Sequence, residues 1–339
     1  MAPYSPPSGG REGKLRLDFN ENTTGCSPKV LTFLQQKLSQ EQLTIYPEYE
    51  ATKRALTAYF QVPEPQFLIT NGTDEAIQIL VNTYIDNNDD VLILHPSYAM
   101  YRFYAEVAGA KVRELSYNKE DLSFPLRGLI ARIRPKTKAI LIANPNNPTG
   151  TAIGIGEIVR ILEAAPQAAV LIDEAYYEFY GVTALRLIDQ YPNLFVSRTF
   201  SKAFGMAAMR AGVLFSQAAN VAFLHKAQSP YSVNTLAALA MQAAVEDRAF
   251  VDNYARQASE ARELLYQGFT RRNIRHYASQ GNFVLFHLGS RAVPVRDALR
   301  ARGVLVRDRS YELPGTIRVT AGNPTQVERF FAAFDEVWK

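Results

Sequence analysis

Residues 139–150 read AILIANPNNPTG, and residues 169–176 read AVLIDEAY. Each begins as an unbroken apolar run of strand length and stops abruptly on polar side chains. A run with no alternation between faces marks a strand buried on both sides. Working outward, the same form recurs in FLIT (67–70), VLIL (91–94) and LFVSR (194–198), with a more polar KVREL at 111–115. Helical stretches fill the intervals near 74–84, 98–108, 125–133 and 156–165. Strands alternating with helices predict an α/β fold, a mostly parallel sheet with helices on both faces.

On the N-terminal side, residues 1–14 are rich in Pro, Gly and Ser and read as an arm. Ser27-Pro28 is an N-cap followed by Pro at N1, opening a helix to about Ser39. A second amphipathic helix is expected over Glu50–Phe60. Past residue 230 the pattern turns helix-rich. Asn234–Arg275 reads as two helices, followed by NFVLF (282–286), a helix near 293–302, VLV (304–306), TIRVT (316–320) and a last helix from Pro324. The expected division is residues 1–45 as arm and part of a small domain, 46–230 as a large domain, and 231–339 as a smaller α+β domain.

Apolar residues make up 47% of the 339 and charged residues 21%, which excludes a disordered chain, a collagen and a coiled-coil rod. Lys and Arg number 37 against 33 Asp and Glu, and they form no tract, so nucleic acid is not an expected partner. Cys26 is the sole cysteine, so no intramolecular disulfide and no cysteine metal site can form. The four histidines lack ligand spacing, and no metal is assigned. No apolar run reaches the ~18 residues of a membrane span, and no apolar leader opens the chain, so a cytoplasmic protein is expected.

In an open α/β sheet, ligands bind beyond the carboxyl ends of the strands. After FLIT come Gly72, Thr73 and Asp74 at a helix start, where free N–H groups form an anion site. After VLIL comes Tyr98, which can stack on a planar ligand. After AILIA, two prolines and a glycine make a rigid loop that carries Asn147. AVLI ends in Asp173, a buried carboxylate that needs a cationic partner. LFVSR leads into Thr199, Ser201 and Lys202, with Arg210 eight residues on, making Lys202 a candidate nucleophilic amine. Taken singly, each has an ordinary reading as a turn, a cap, a packed aromatic or a solvated lysine.

Their joint order carries more. Asn147 precedes Asp173 by 26 residues, and Lys202 follows by 29. From Asp18 to Gly322 the chain resembles the fold-type I pyridoxal-phosphate enzymes, specifically the aspartate aminotransferase superfamily. The resemblance implies that Lys202 joins the aldehyde of pyridoxal 5'-phosphate, and that Asp173 pairs with its ring nitrogen. It implies that Asn147 and Tyr176 bond the ring oxygen and that Tyr98 stacks on the ring. Gly72, Thr73, Asp74, Thr199, Ser201 and Arg210 would hold the cofactor phosphate. Tyr46 would reach the phosphate of a second subunit, which implies a homodimer with shared sites. Arg318, in the strand TIRVT, would take the carboxylate of the substrate, where a guanidinium fork suits and a lysine would not.

LDFNENTTGCSP, YPEYEATKRAL, TNGTDEAIQIL, HPSYAMYRFYAEVAGA and SKAFGMAAMRAG resemble the histidinol-phosphate aminotransferase family in particular. The resemblance implies two more substrate-binding residues, Tyr4 in the arm and Arg307, 11 residues before Arg318. It implies reversible amino transfer from L-histidinol phosphate to 2-oxoglutarate in histidine biosynthesis. An aromatic amino acid aminotransferase and a threonine-phosphate decarboxylase are the alternatives. The chain departs from the family at Thr23, where Pro is usual, and at Met206-Ala207-Ala208-Met209, where Leu-Ala-Gly-Leu is commoner.

Overall fold

The computed structural model describes residues 10–338, and Tyr4 lies outside them. Twelve strands are present: β1 (Leu15–Leu17), β2 (Phe67–Thr70), β3 (Asp90–His95), β4 (Lys111–Ser116), β5 (Thr137–Ala143), β6 (Ala169–Asp173), β7 (Leu194–Thr199), β8 (Gly212–Phe215), β9 (His276–Tyr277), β10 (Phe283–His287), β11 (Val304–Asp308) and β12 (Thr316–Thr320). The larger sheet runs in the order β2-β8-β7-β6-β5-β3-β4. Strands β3 to β7 are parallel, and β8 pairs antiparallel with both β2 and β7. The fold is the expected one, a mostly parallel sheet flanked by helices. The sequence reading passed over β8, whose four residues GVLF follow an irregular loop with no turn signal.

The apolar runs are explained by their two-sided burial. Ile140 and Ile142 of β5 face one hydrophobic cluster, which also holds Val30, Leu56 and Val196. Ala139, Leu141 and Ala143 face the other, with Ile77, Leu80 and Phe195. Ser27 caps the helix Pro28–Lys37 by accepting from the Lys29 N–H at 3.1 Å.

The smaller sheet runs β1-β11-β12-β10-β9, and its two faces differ. Val284, Phe286, Val304, Val306, Ile317 and Val319 pack with Phe269, Phe330 and Phe334 of the covering helices. The opposite face turns to the larger domain, where Leu285 joins that domain's cluster and Tyr277 packs against it. Arg307 lies directly opposite Arg318 in the β11–β12 register, so both side chains share this second face.

The expected domain borders need correction. Helix Thr235–Glu246, placed in the small domain, buries Ala237, Ala240, Met241 and Ala244 in the larger sheet's cluster, against helices Pro28–Lys37 and Glu50–Phe60. An alanine-rich helix fits close against two others, and nothing in its own sequence names its partner. The segment before residue 46 is likewise shared, with β1 in the smaller sheet and helix Pro28–Lys37 on the larger domain. Among the described residues, no helix is long and apolar enough to cross a membrane, and no group of His, Cys, Asp and Glu could hold a metal ion.

The helix Arg248–Arg271 approaches the C-terminal helix at Gly268, where a Cβ would stand 2.1 Å from Cζ of Phe331. We expect Gly268→Ala to destabilise the protein by about 1–3 kcal/mol through overpacking, measured by urea denaturation. An unchanged midpoint would refute this packing.

Candidate active site

A cavity of about 350 Å³ opens at the carboxyl ends of β5, β6 and β7. Of the residues singled out from sequence, Thr73, Asp74, Tyr98, Asn147, Asp173, Tyr176, Thr199, Ser201, Lys202 and Arg210 all line it. Asp173 and Thr199 end strands, Thr73 and Asp74 open a helix, and the others except Arg210 follow a strand end by two to four residues, so the parallel sheet gathers them at its carboxyl edge.

Asp173 is the last residue of β6 and is buried. Its Oδ2 accepts from the Tyr101 hydroxyl at 2.8 Å, and its Oδ1 accepts from the Ser197 hydroxyl at 2.9 Å. Burial raises its pKa to about 6, against the opposing pull of those two hydrogen bonds. Among the described residues it has no ion-pair partner. The next residue, Glu174, is also buried and pairs with Arg198 at 2.8 Å. The carboxylate that ends β6 thus meets hydroxyls, and the one just past it meets a guanidinium.

Lys202 follows β7, and its Nζ donates to the Phe19 carbonyl at 3.0 Å. The Tyr176 hydroxyl accepts from the Asn20 amide at 2.9 Å. In the loop after β5, Asn144 is consumed by Ile153 at both its amide nitrogen and oxygen, and Asn146 by Pro96, Ser97 and Thr149. These bonds rigidify the loop and leave Asn147 to face the cavity, where its amide oxygen accepts from Arg318.

The anion cup is built on a tight turn. Gly72 has φ +72°, and a Cβ there would stand 2.7 Å from Nη2 of Arg210. Thr73 and Asp74 occupy the first turn of helix Gly72–Tyr84, and among the described residues the buried Thr73 hydroxyl has no partner. The Thr199 hydroxyl lies 3.0 Å from that of Ser201. Arg210 reaches Ser201 at 3.5 Å and Asp74 at 3.2 Å, and Tyr98 donates to the other Asp74 oxygen at 2.6 Å.

Three of the expected residues lie elsewhere. Arg318 is buried behind Asn147 and donates to the Asp18 carbonyl at 2.6 Å. Its pKa falls to about 10, chiefly through desolvation, with Arg309 and Arg307 adding repulsion. Arg307 faces a separate cavity beside Asp18, its guanidinium 5.4 Å from the Phe19 ring centre. Tyr46 is 72% exposed and stacks on Tyr231 at 4.3 Å, away from this chain's own cavity. Tyr4 lies outside the described residues.

The sequence reading missed Asn20, Tyr101, Ser197 and Arg11. The Arg11 guanidinium bonds Asp18 at 2.9 Å and Glu21 at 2.7 Å over the Phe19 ring, fixing residues 11–21 across the cavity mouth. The motif after β3 was read only as far as Tyr98, three residues short of Tyr101.

An anion cup, a buried carboxylate lacking a cation and an amine in one cavity fit a phosphorylated, cationic ring bearing an aldehyde. The class defined is therefore the pyridoxal-phosphate enzymes. The family model for class I and II aminotransferases matches residues 12–334. The chain is 34% identical to histidinol-phosphate aminotransferase 2 of Methylococcus capsulatus, over 99% of this chain and 96% of that protein. It is 37% identical to the histidinol-phosphate aminotransferase of Symbiobacterium thermophilum, over 94% and 89%. In structure it resembles the histidinol-phosphate aminotransferase of Sinorhizobium meliloti in complex with pyridoxal-5'-phosphate, with TM-score 0.87, 22% identity, and 95% and 90% coverage. The L-threonine-O-3-phosphate decarboxylase of Porphyromonas gingivalis shares the fold at TM-score 0.81, 22% identity, and 95% and 98% coverage. The chain belongs to the class I and II aminotransferase family. It is a pyridoxal-phosphate-dependent transaminase, and the family read from its motifs is the one its relatives carry.

Because the folded pKa of Asp173 lies above its ordinary 3.8, ionising it in the folded cofactor-free protein costs stability. The cost is absent below the unfolded value and complete above about 6, where it amounts to roughly 3 kcal/mol. We expect cofactor-free Asp173→Asn to gain stability relative to the native chain as pH rises from 4 to 7, by about 2–3 kcal/mol in urea melts. A difference independent of pH would contradict this burial.

Proposed function

We propose that the chain transfers the amino group of L-histidinol phosphate to 2-oxoglutarate, giving imidazole acetol phosphate and L-glutamate, in the cytoplasm. The convergence of Lys202, Asp173 and the anion cup in one cavity carries the transaminase chemistry. The donor rests on the near-full-length relatives of that name.

When bound, pyridoxal phosphate supplies an aldehyde that joins the amine and a ring that draws electrons from the bond broken at the substrate's Cα. The chain's residues do the rest. The N–H groups of Thr73 and Asp74, on the turn at Gly72, hold the phosphate with the hydroxyls of Thr199 and Ser201 and the Arg210 guanidinium. Asp173, kept acceptor-only by Tyr101 and Ser197, holds the proton on the ring nitrogen. Asn147 and Tyr176 bond the ring oxygen, and Tyr98 covers the ring face. Lys202 is the amine that the aldehyde would join, and its Nζ, when free, would hold the proton removed from the substrate's Cα. Arg318 and Arg307 take the anionic end of the substrate, and the resemblance adds Tyr4 as a further ligand of the substrate phosphate. The exposed pair Tyr46 and Tyr231, beside exposed Leu43 and Ile45, sits against a second copy, where Tyr46 reaches the partner's cofactor phosphate.

The test is a half-reaction. Each amine is added to the holoprotein and loss of the cofactor's visible absorbance is followed. L-Histidinol phosphate should give a higher kcat/KM than phenylalanine, and Lys202→Ala should abolish transfer without loss of fold by circular dichroism. A preference for phenylalanine, or carbon dioxide release from L-threonine phosphate, would overturn the donor assignment.

A further inference from the structure

Tyr176 lines the cavity, and one hydrogen bond decides which way its hydroxyl proton points. Its ring stands edge-on to Phe283, the two centres 5.2 Å apart, which fixes the position of the oxygen. Among the described residues that oxygen has one hydrogen-bond partner, the Asn20 side chain at 2.9 Å. A phenolic hydroxyl has one proton to donate, and an amide offers a donor at one end and an acceptor at the other. The end of the amide that faces Tyr176 therefore settles the direction of the proton.

The smaller domain determines which end that is. Asn20 and Thr320 of β12 are both buried. The Asn20 N–H donates to the Thr320 hydroxyl oxygen at 3.0 Å. The Thr320 hydroxyl donates in return to Oδ1 of Asn20 at 3.2 Å, and among the described residues it bonds nothing else. Oδ1 is thereby committed to Thr320, and Nδ2 is left to donate to Tyr176. On the backbone, the Asn282 amide donates to the Asn20 carbonyl at 3.1 Å. Asn20 holds φ +56°, in the left-handed region that asparagine enters more readily than most residues.

We propose that Asn20 is a positioning residue for the cofactor: by donating to the Tyr176 oxygen, it turns the Tyr176 proton into the cavity, toward the ring oxygen of pyridoxal phosphate. A hydrogen bond to an ionised oxygen favours the ionised form. An oxygen so held has a weaker grip on the proton it shares with the nitrogen of Lys202, and that proton leaves at lower pH. Asn20 and Thr320 line no part of the cavity, so the smaller domain sets acidity at the lysine without touching the cofactor. The inference deepens the proposed function and rests on Tyr176 bonding the ring oxygen.

The experiment follows the visible absorbance of the holoprotein against pH, with no substrate present. Asn20→Gly removes the amide and suits the left-handed backbone. The midpoint should rise by about half a pH unit or more, the worth of one hydrogen bond. In a Tyr176→Phe background the same substitution should move it by less than about 0.2 pH units. The charged groups around Lys202 and Tyr176 are Asp173, Glu21, Arg11, Asp74 and Arg210, with Arg318 behind, and every variant keeps them. An equal rise in both backgrounds, or none in either, would overturn the proposal. Should Asn20→Gly not fold, Thr320→Val decides, since it keeps the shape and removes the hydroxyl that fixes the amide. The midpoint should again rise only where Tyr176 is present, and an unchanged midpoint would refute the idea. A rise with Tyr176→Phe but not with Asn20→Gly fells this inference alone. A midpoint indifferent to Tyr176→Phe overturns both it and the place of Tyr176 on the ring oxygen.

Discussion

A carboxylate buried without a counter-cation governs this molecule. Asp173 ends a strand with neighbours on both sides, so it cannot swing into solvent, and burial works against its charge. Two hydroxyls offset part of that cost, and each comes from a different place: Ser197 from the adjacent strand, Tyr101 from the helix after β3. The remaining compensation has to be a cation brought in from outside. The sheet order, the strand lengths and the helix packed behind β3 all serve to hold one oxygen pair at a fixed point. Lys202 and the anion cup then only need to lie at the right distance from it, and the parallel arrangement supplies that by ending β6 and β7 together.

What could be read from the chain follows from locality. Strands buried on two faces announce themselves as unbroken apolar runs, so the parallel core was legible. Asp173, Asn147, Lys202 and the Gly72 turn were legible because each directly follows such a run. Asn20 was not, because it reaches Tyr176 from 156 residues away, and the bond exists only once the smaller sheet has formed. Strand β8 was not, because four residues after a loop carry no period. The helix Thr235–Glu246 was placed in the wrong domain because its alanines fit any close-packed partner.

The smaller domain reads as a sheet with one job per face. Its aromatic side makes a self-sufficient core, so the polar side is free to carry charge that a core could not tolerate. Arginines on that side are desolvated by the larger domain instead of by their own helices. Burial of Arg318 thus comes from contact between the two domains.

The stretch between β1 and the helix Pro28–Lys37 runs from one domain to the other directly over the lysine. Its Phe19 carbonyl holds Lys202, its Asn20 side chain holds Tyr176, and its Asn22 side chain holds the Ala203 carbonyl. A swing of the smaller sheet would pull on these tethers like a drawstring. The wall over the lysine is thus a segment that belongs to both domains, and the amine is reached beside it through the cavity it lines.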